Sequence, residues 1–298
     1  MIGQLDLSAA LMRILPPSSS VTRQFVTSCE ALKRKRDNCK AELDKDWDQP
    51  VHRKVAQQAL IDYYYQLASP PLSTFSLSCL DLRFHWRDSI SYKSHGIKDK
   101  SGILELTNII YNVGAAAAGL GSDTLKLPSR PERLPMAKKY FEEAAGAFLE
   151  VRTILQNDEE QRWRDVSKVN LELQPESLDA LVQCMLAYAA RCFYEKAFES
   201  SGTRHKLLAQ LAVKVSQEYY AAAGRMQEAV VAKRGMDRWL SAWADYLSLE
   251  SSFFLMQAHS HAADCDEAAC RPAQQRVHLE HSKKLMDRIY AASNSGVY

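Results

Sequence analysis

The spacing of apolar positions predicts helices along most of this chain. Apolar residues recur at helical intervals, and clusters of proline, glycine and serine separate the runs. The predicted helices cover residues 25–46, 50–69, 100–119, 135–156, 176–199, 203–231, 236–262 and 271–293. Pro50, Pro175 and Pro272 fall where first turns are expected, since a helix needs no amide hydrogen there. A break is expected at the Gly-Leu-Gly-Ser sequence of residues 119–122.

One segment near the start alternates between apolar and polar residues instead. From Leu80 to Trp86 every second residue is apolar, and the residues between them are aspartate, arginine and histidine. This period of two predicts a half-buried antiparallel strand over residues 80–87, with residues 73–77 as its expected hairpin partner. The predicted fold class is therefore mainly α: a solenoid of helical hairpins, similar to tetratricopeptide stacking, with a small N-terminal β-hairpin. No strict repeat period is visible.

Two of the predicted helices carry runs of small residues. Residues 110–119 contain two glycines and four alanines, and the next helix has Ala-Ala-Gly-Ala at 144–147, flanked by Phe141 and Phe148. Small side chains let a second helix approach closely, so we expect these two helices to pack against each other. The pattern is typical of a helical scaffold that holds a partner rather than converting a substrate.

The charge balance and the cysteines narrow the class of protein. Lysine and arginine total 38, while aspartate and glutamate total 36, which leaves a net charge of +2. Nucleic-acid binding is not expected, because it requires a basic footprint. The seven cysteines are scattered without a Cys-x-x-Cys pair and indicate reduced thiols in a cytosolic protein. No signal peptide and no membrane-spanning apolar run is recognised, so membrane association is expected to be peripheral.

The basic run from Lys33 to Arg36 is expected to lie on a solvated helix face. Acidic residues follow it closely along the chain, which weakens its net charge. Contact with an anionic membrane surface is the alternative interpretation.

Candidate metal chemistry is confined to one segment near the C-terminus. Potential ligands occur there at His259, His261, Cys265 and Cys270. On a helix His259 would point away from His261, and structural zinc needs four convergent ligands. We therefore interpret the segment as an interhelical loop with incidental polar residues, and expect no metal and no cofactor.

The sequence also lacks the motifs of common enzyme classes. It contains no phosphate-binding loop and no nucleophile elbow, so we assign no catalytic residue and do not expect an enzyme.

A series of short motifs follows in a fixed order along the chain. In sequence they are Tyr63-Tyr64-Tyr65, Phe84-His85-Trp86-Arg87-Asp88-Ser89, Ile110-Tyr111-Asn112-Val113-Gly114-Ala115, Ala144-Ala145-Gly146-Ala147-Phe148 and Leu186-Ala187-Tyr188-Ala189-Ala190-Arg191-Cys192-Phe193-Tyr194-Glu195-Lys196-Ala197. Each motif is weak alone, but together, over about residues 55–225, they resemble the Alix-type BRO (Bro-one) domain family.

The resemblance implies a banana-shaped helical solenoid with a small β-hairpin, forming a single BRO-like domain over residues 1–298. The match decays toward the C-terminus, where the sequence around residues 239–247 departs from the family pattern. The family's domain normally continues further than this chain, so we expect a short and divergent member.

The resemblance further implies a non-catalytic adaptor of the endosomal sorting (ESCRT) pathway, cytoplasmic and recruited to endosomes. Family members bind the C-terminal amphipathic helix of an ESCRT-III subunit, a charged multivesicular body protein, in an apolar patch on their concave face. Carried over by motif, the patch includes Phe193, Leu207 and Leu211. The two leucines are four residues apart and share one helix face, which suits a receptor for such a helix, although this spacing by itself is more often that of plain core. We expect a monomer that reaches membranes through its partner.

Two alternatives remain open from the sequence. A scaffold of the same fold would serve a different partner, such as a Rho-type GTPase or a component of pH signalling, and a degenerate patch would favour it. An all-helical enzyme would need a pocket with two or more perturbed ionisable groups, and the sequence offers no such set.

Overall fold

The computed structural model describes residues 20–45, 49–68, 84–86, 97–99, 102–128, 130–157, 171–201, 204–232 and 238–294. Within these ranges lie eight helices and two short strands. The helices are α1 (Ser20–Leu43), α2 (Pro50–Ala68), α3 (Gly102–Lys126), α4 (Arg133–Gln156), α5 (Pro175–Ser201), α6 (His205–Ala232), α7 (Arg238–Ala268) and α8 (Pro272–Asn294). The predicted mainly helical fold is confirmed.

The two strands form a small antiparallel pair. Strand β1 (Phe84–Trp86) pairs with β2 (Ile97–Asp99), and Phe84 lies opposite Asp99. The expected hairpin partner at residues 73–77 lies outside the described residues. The partner that the structure does describe follows β1 in the chain rather than preceding it.

Prolines mark three helix starts as predicted, but glycines do not end α3. Helices α2, α5 and α8 begin at Pro50, Pro175 and Pro272. The break expected at residues 119–122 is wrong, because α3 continues to Lys126. A Cβ atom on Gly119 would lie 2.6 Å from Cδ of Arg53, whose guanidinium forms an ion pair with Asp123. Gly119 therefore makes room for the arginine.

The contacts of the chain cluster into two compact units. The first comprises residues 1–123 and 146–178, and the second comprises residues 124–145 and 179–298. The division cuts through α3, α4 and α5, so each of these helices contributes to both units. The single domain expected over residues 1–298 stays a prediction.

Close packing between α3 and α4 in the first unit confirms the expectation from the small residues. A Cβ atom on Gly114 would lie 3.0 Å from Cε1 of Phe148 and 3.1 Å from Cβ of Ala147. The rings of Tyr111 and Phe148 pack with centroids 5.3 Å apart. The missing side chain of Gly114 is thus what lets the Phe148 ring approach the backbone of α3.

Gly114→Val is expected to lower the free energy of unfolding by about 1–3 kcal/mol, because the added methyl groups overpack the Phe148 contact. Gly146 is the matched control, since a Cβ atom there meets nothing within 4 Å. Gly146→Ala is expected to raise stability by up to about 1 kcal/mol through helix propensity. Urea unfolding followed by circular dichroism measures both. Equal stability of Gly114→Val and the wild type would refute the close approach.

Glu105 of α3 is the centre of a buried polar cluster in the first unit. Its carboxylate is fully buried and accepts hydrogen bonds from Nε of Arg36 at 2.8 Å, the hydroxyl of Tyr63 at 2.6 Å and Nε1 of Trp86 at 2.6 Å. Burial, and next the negative charge of Glu105, hold the pKa of Tyr63 well above its ordinary value. One carboxylate therefore joins α1, α2 and β1 to α3.

This cluster corrects the interpretation of the basic run. Arg36 is only 2% exposed and belongs to the core, so a solvated face for the whole run is wrong. Lys35 pairs with Asp62 of α2 at 2.9 Å, whereas Arg34 is exposed as expected. A run of four basic residues on a helix necessarily spans all of its faces, and the face toward α3 supplies the partner for Glu105.

Helix α3 corrects a second expectation. By length and composition alone it is apolar enough to cross a membrane, although no such run was expected. However, 61% of its most apolar window is buried inside the protein, and it carries the Glu105 ion pair. This burial is typical of a core helix, and we interpret α3 as one.

Aromatic rings connect four helices of the second unit. The ring centroids of Phe141 and Tyr188 are 5.3 Å apart, those of Tyr188 and Tyr219 are 5.9 Å apart, and those of Tyr219 and Phe254 are 5.7 Å apart. This chain of contacts runs from α4 through α5 and α6 to α7. It fixes α5 and α6 side by side on a common core.

Candidate protein-binding surface

The three predicted site residues lie on the helical hairpin formed by α5 and α6. Phe193 of α5 is 53% exposed and Leu207 of α6 is 40% exposed, whereas Leu211 is half-buried. Their neighbours Cys192, Leu208 and Ala212 are buried in the core. Phe193 and Leu207 are therefore surface residues on buried helices, and plain core packing does not account for them.

Direct contacts join α5 to α6. Nε2 of Gln183 on α5 donates to Oε2 of Glu218 on α6 at 2.6 Å, and the ring centroids of Tyr188 and Tyr219 lie 5.9 Å apart. Phe193 on α5 and Leu207 and Leu211 on α6 therefore belong to two helices in contact, and we call their faces the α5–α6 surface.

The α5–α6 surface contains one residue that the sequence-based set lacks. Leu186 is 40% exposed and lies seven residues before Phe193, on the same face of α5. This spacing of seven was the signal available in the sequence. Lys214 continues the face of Leu207 and Leu211 on α6, and its ammonium pairs with Glu218 at 2.6 Å. The surface is an apolar strip with a charged end.

Polar contacts behind this surface hold α5 against α7. Nε of Arg191 pairs with Glu195 at 2.7 Å, and its Nη1 lies 3.4 Å from Glu250 of α7. Burial opposes its charge, but the hydrogen bond to Glu195 and the surrounding negative charges raise the pKa of Arg191. Tyr246 also donates to Glu250, at 2.7 Å. The helix that carries Phe193 is therefore fixed from behind while Phe193 points away from these contacts.

The first unit has a separate apolar cavity of about 290 Å³. It lies between α2, α3 and α4 and is lined by Ile61, Tyr64, Tyr65, Ile110, Val113, Gly146, Ala147 and Glu150. Glu150 is the only charged residue in this lining, so the cavity has no pair of carboxylates for acid–base chemistry.

The chain resembles curated proteins over most of its own length. The pH-response regulator protein RIM20 of Yarrowia lipolytica is 26% identical over 241 residues, which are 80% of this chain and 28% of that protein. ALG-2 interacting protein X of Dictyostelium discoideum is 28% identical over 188 residues, or 62% of this chain and 22% of that protein. The chain therefore spans only about a quarter of the length of these relatives.

Solved structures and a family model agree on the fold. A structure of the ALIX BRO1 domain in complex with CHMP4C matches 99% of this chain and 79% of its own, with a TM-score of 0.76 and 18% identity. A Bro1 domain structure described as the basis for endosomal targeting matches 97% of this chain and 75% of its own, with a TM-score of 0.75 and 16% identity. The model of the BRO1-like domain matches residues 3–297. Since this match spans nearly every residue, the chain belongs to the BRO1-like domain family.

Proposed function

We propose that this chain is a non-catalytic adaptor of the endosomal sorting pathway that binds the C-terminal amphipathic helix of an ESCRT-III subunit. The binding site is the α5–α6 surface with Phe193, Leu207 and Leu211. The protein acts in the cytoplasm as a monomer and reaches endosomes through its partner. Family membership supports the adaptor role, and the related complex of a BRO1 domain with CHMP4C supports the class of partner.

The observation that carries the proposal is the exposure of large apolar side chains on two neighbouring helices. An amphipathic helix presents apolar anchors at i, i+3, i+4 and i+7, and it needs a strip of this kind to bury them. Phe193, Leu186 and Leu207 are each 40% or more exposed, while Cys192 and Leu208 beside them are buried. Burying one such side chain contributes up to roughly 1.5–3 kcal/mol, so losing one anchor changes the affinity by about tenfold or more.

Leu207→Asp and Leu211→Asp are expected to weaken binding of fluorescent ESCRT-III C-terminal helix peptides about tenfold to a hundredfold, measured by anisotropy titration. Leu207 is exposed enough to accept a carboxylate without loss of fold, which keeps the test valid if Leu211→Asp unfolds.

Val231→Asp is the matched control for these variants. Val231 lies on the same helix, is 68% exposed and points away from the face of Leu211. It is expected to bind like the wild type. Full affinity in a folded Leu207→Asp variant would exclude the α5–α6 surface as the site.

A scaffold for pH signalling is the second candidate, because several of the relatives are pH-response regulator proteins. A chimaera tests it: this chain replaces the matched segment of the Yarrowia lipolytica regulator, and growth is followed across external pH. Rescue by the chimaera, together with no peptide binding, would favour this role over the ESCRT-III adaptor.

A further inference from the structure

Three potential metal ligands meet where α6 begins against α7. His205 is the first residue of α6, and His261 and Asp264 lie one turn apart on α7. Nδ1 of His205 is 3.1 Å from Oδ2 of Asp264, and Nδ1 of His261 is 4.0 Å from the same oxygen. The ligand atoms all lie within 4.8 Å of one another. Ligand atoms about 2.0–2.2 Å from a tetrahedral zinc ion are separated from one another by roughly 3.4 Å. This separation lies between the 3.1 Å and 4.0 Å measured from Asp264 to the two histidines.

The His261 side chain is buried and directed into this cluster. It is 6% exposed, and its Nε2 lies 2.9 Å from the hydroxyl of Tyr194. Its Nδ1 is buried and has no hydrogen-bond partner in the part of the chain that the structure describes. Buried ring nitrogens rarely lack a partner, and here the nitrogen faces the Asp264 carboxylate, which is itself an acceptor. A cation between the two acceptors would satisfy both.

The contact with Tyr194 has the form that metal-binding histidines use. When Nε2–H donates to an oxygen, Nδ1 keeps its lone pair for the metal, and the outer partner fixes the orientation of the ring. Aromatic contacts restrain the ring further: its centroid is 6.0 Å from that of Phe198 and 6.2 Å from that of Tyr194. The site is therefore held by side chains that are not themselves ligands.

We propose that His205, His261 and Asp264 bind one zinc-type divalent ion that fastens the start of α6 to α7. Two imidazoles and a carboxylate suit such an ion, and three protein ligands leave a fourth position for water or a partner's side chain. Leu207 lies in the turn that His205 opens, so the ion fixes the first turn of the α5–α6 surface. The site does not depend on the identity of the peptide partner.

The sequence pointed to a different set of ligands. The interhelical loop expected for residues 259–270 is wrong up to residue 268, because α7 continues to Ala268. His259 hydrogen-bonds His278 of α8 at 3.0 Å, on the other side of α7 from His261. Cys265 and Cys270 do not join the cluster of three. His205 could not be found by local spacing, since it lies on another helix.

Zinc retention by the full chain tests the proposal. The protein is stripped with a chelator, dialysed against micromolar zinc and analysed by elemental mass spectrometry and thermal unfolding. We expect one zinc per chain and a higher Tm with zinc. His205→Gln and Asp264→Asn are expected to weaken zinc binding at least tenfold, and Tyr194→Phe about tenfold to a hundredfold through the outer partner.

His259→Gln is the matched control, because it removes a half-buried histidine of the same helix. The ring of His259 packs against His278 of α8, with centroids 5.3 Å apart, and not against the proposed ligands. The variant is expected to retain the zinc and the Tm increase. Loss of zinc in His259→Gln with retention in His205→Gln would place the metal elsewhere and overturn the proposal. No zinc in the wild type, or an equal Tm increase in His205→Gln, would overturn it as well.

Discussion

Glu105→Ala is expected to destabilise the protein by about 3–5 kcal/mol, the cost of breaking a buried ion pair. The variant leaves the buried guanidinium of Arg36 without this carboxylate and removes the acceptor of Tyr63 and Trp86. Such a loss is a large fraction of the stability of a typical domain. Urea unfolding, followed by circular dichroism and tryptophan fluorescence, measures it, and Trp86 reports locally.

Two further variants distinguish the buried pair from charge loss in general. Glu142→Ala removes a carboxylate that pairs with Lys138 at 2.6 Å on the surface of α4, and it should cost no more than about 0.5 kcal/mol. Replacing both buried partners, as Arg36→Met with Glu105→Gln, should recover part of the loss, because no unpaired charge remains. A Glu105→Ala variant within 1 kcal/mol of the wild type would contradict the role of Glu105.

A steep loss of stability above about pH 9 is the second large effect expected. Burial raises the pKa of the Cys29 thiol to about 11 and those of Cys39, Cys184 and Cys192 to about 12. Unfolded thiols ionise near pH 8.5, so above that value the unfolded state releases protons that the folded state keeps. The contribution of the buried thiols to the free energy of unfolding is therefore fully present below about pH 8.5 and falls progressively between about pH 8.5 and pH 12. Each thiol contributes as much as about 1.4 kcal/mol per pH unit.

Single cysteine variants test the origin of this alkaline effect. Cys184→Ala should make the fall in unfolding free energy between about pH 9 and pH 11 shallower by nearly one proton. Cys270 is exposed, and Cys270→Ser should leave the slope unchanged. Lysines and tyrosines titrate equally in both variants, so the difference between them isolates the buried thiol. Identical slopes would show that burial of Cys184 does not govern the pH dependence.

The sequence predicts helix starts better than helix ends in this fold. Pro50, Pro175 and Pro272 act locally, since a proline in the first turn needs no partner elsewhere in the chain. The continuation of α3 past Gly119 depends instead on Arg53 and Asp123, residues 70 positions apart. Local propensity favours a break there, and the tertiary ion pair outweighs it.

The buried polar residues were also predictable only in part. Glu105 could have been recognised as the only charged residue in the first 21 positions of α3, from Gly102 to Ser122, because such a residue needs a buried partner. Its partners could not be named, since they come from three other elements. Arg36 was hidden in a basic run that resembles an ordinary solvated face.

The candidate surface was predicted only through resemblance. Local spacing of Leu207 and Leu211 fits a core as well as a binding site, and exposure distinguishes the two. The exposure of Phe193 and Leu207 agrees with the expected surface, whereas the binding role of all three residues stays a prediction. The ligand set of His205, His261 and Asp264 joins two helices, so a search for short spacings within one segment could not find it.

The buried polar cluster around Glu105 also restricts which substitutions this protein can accept during evolution. Three donors share one buried carboxylate, so replacing Glu105 removes the acceptor of all three, and replacing a donor removes part of the hydrogen bonding that stabilises the buried charge. Single replacements are therefore costly, and the four residues are expected either to persist together or to be replaced together. Across a broad sampling of relatives, Arg36, Tyr63, Trp86 and Glu105 should therefore vary as a correlated set, while the solvated positions around them drift independently.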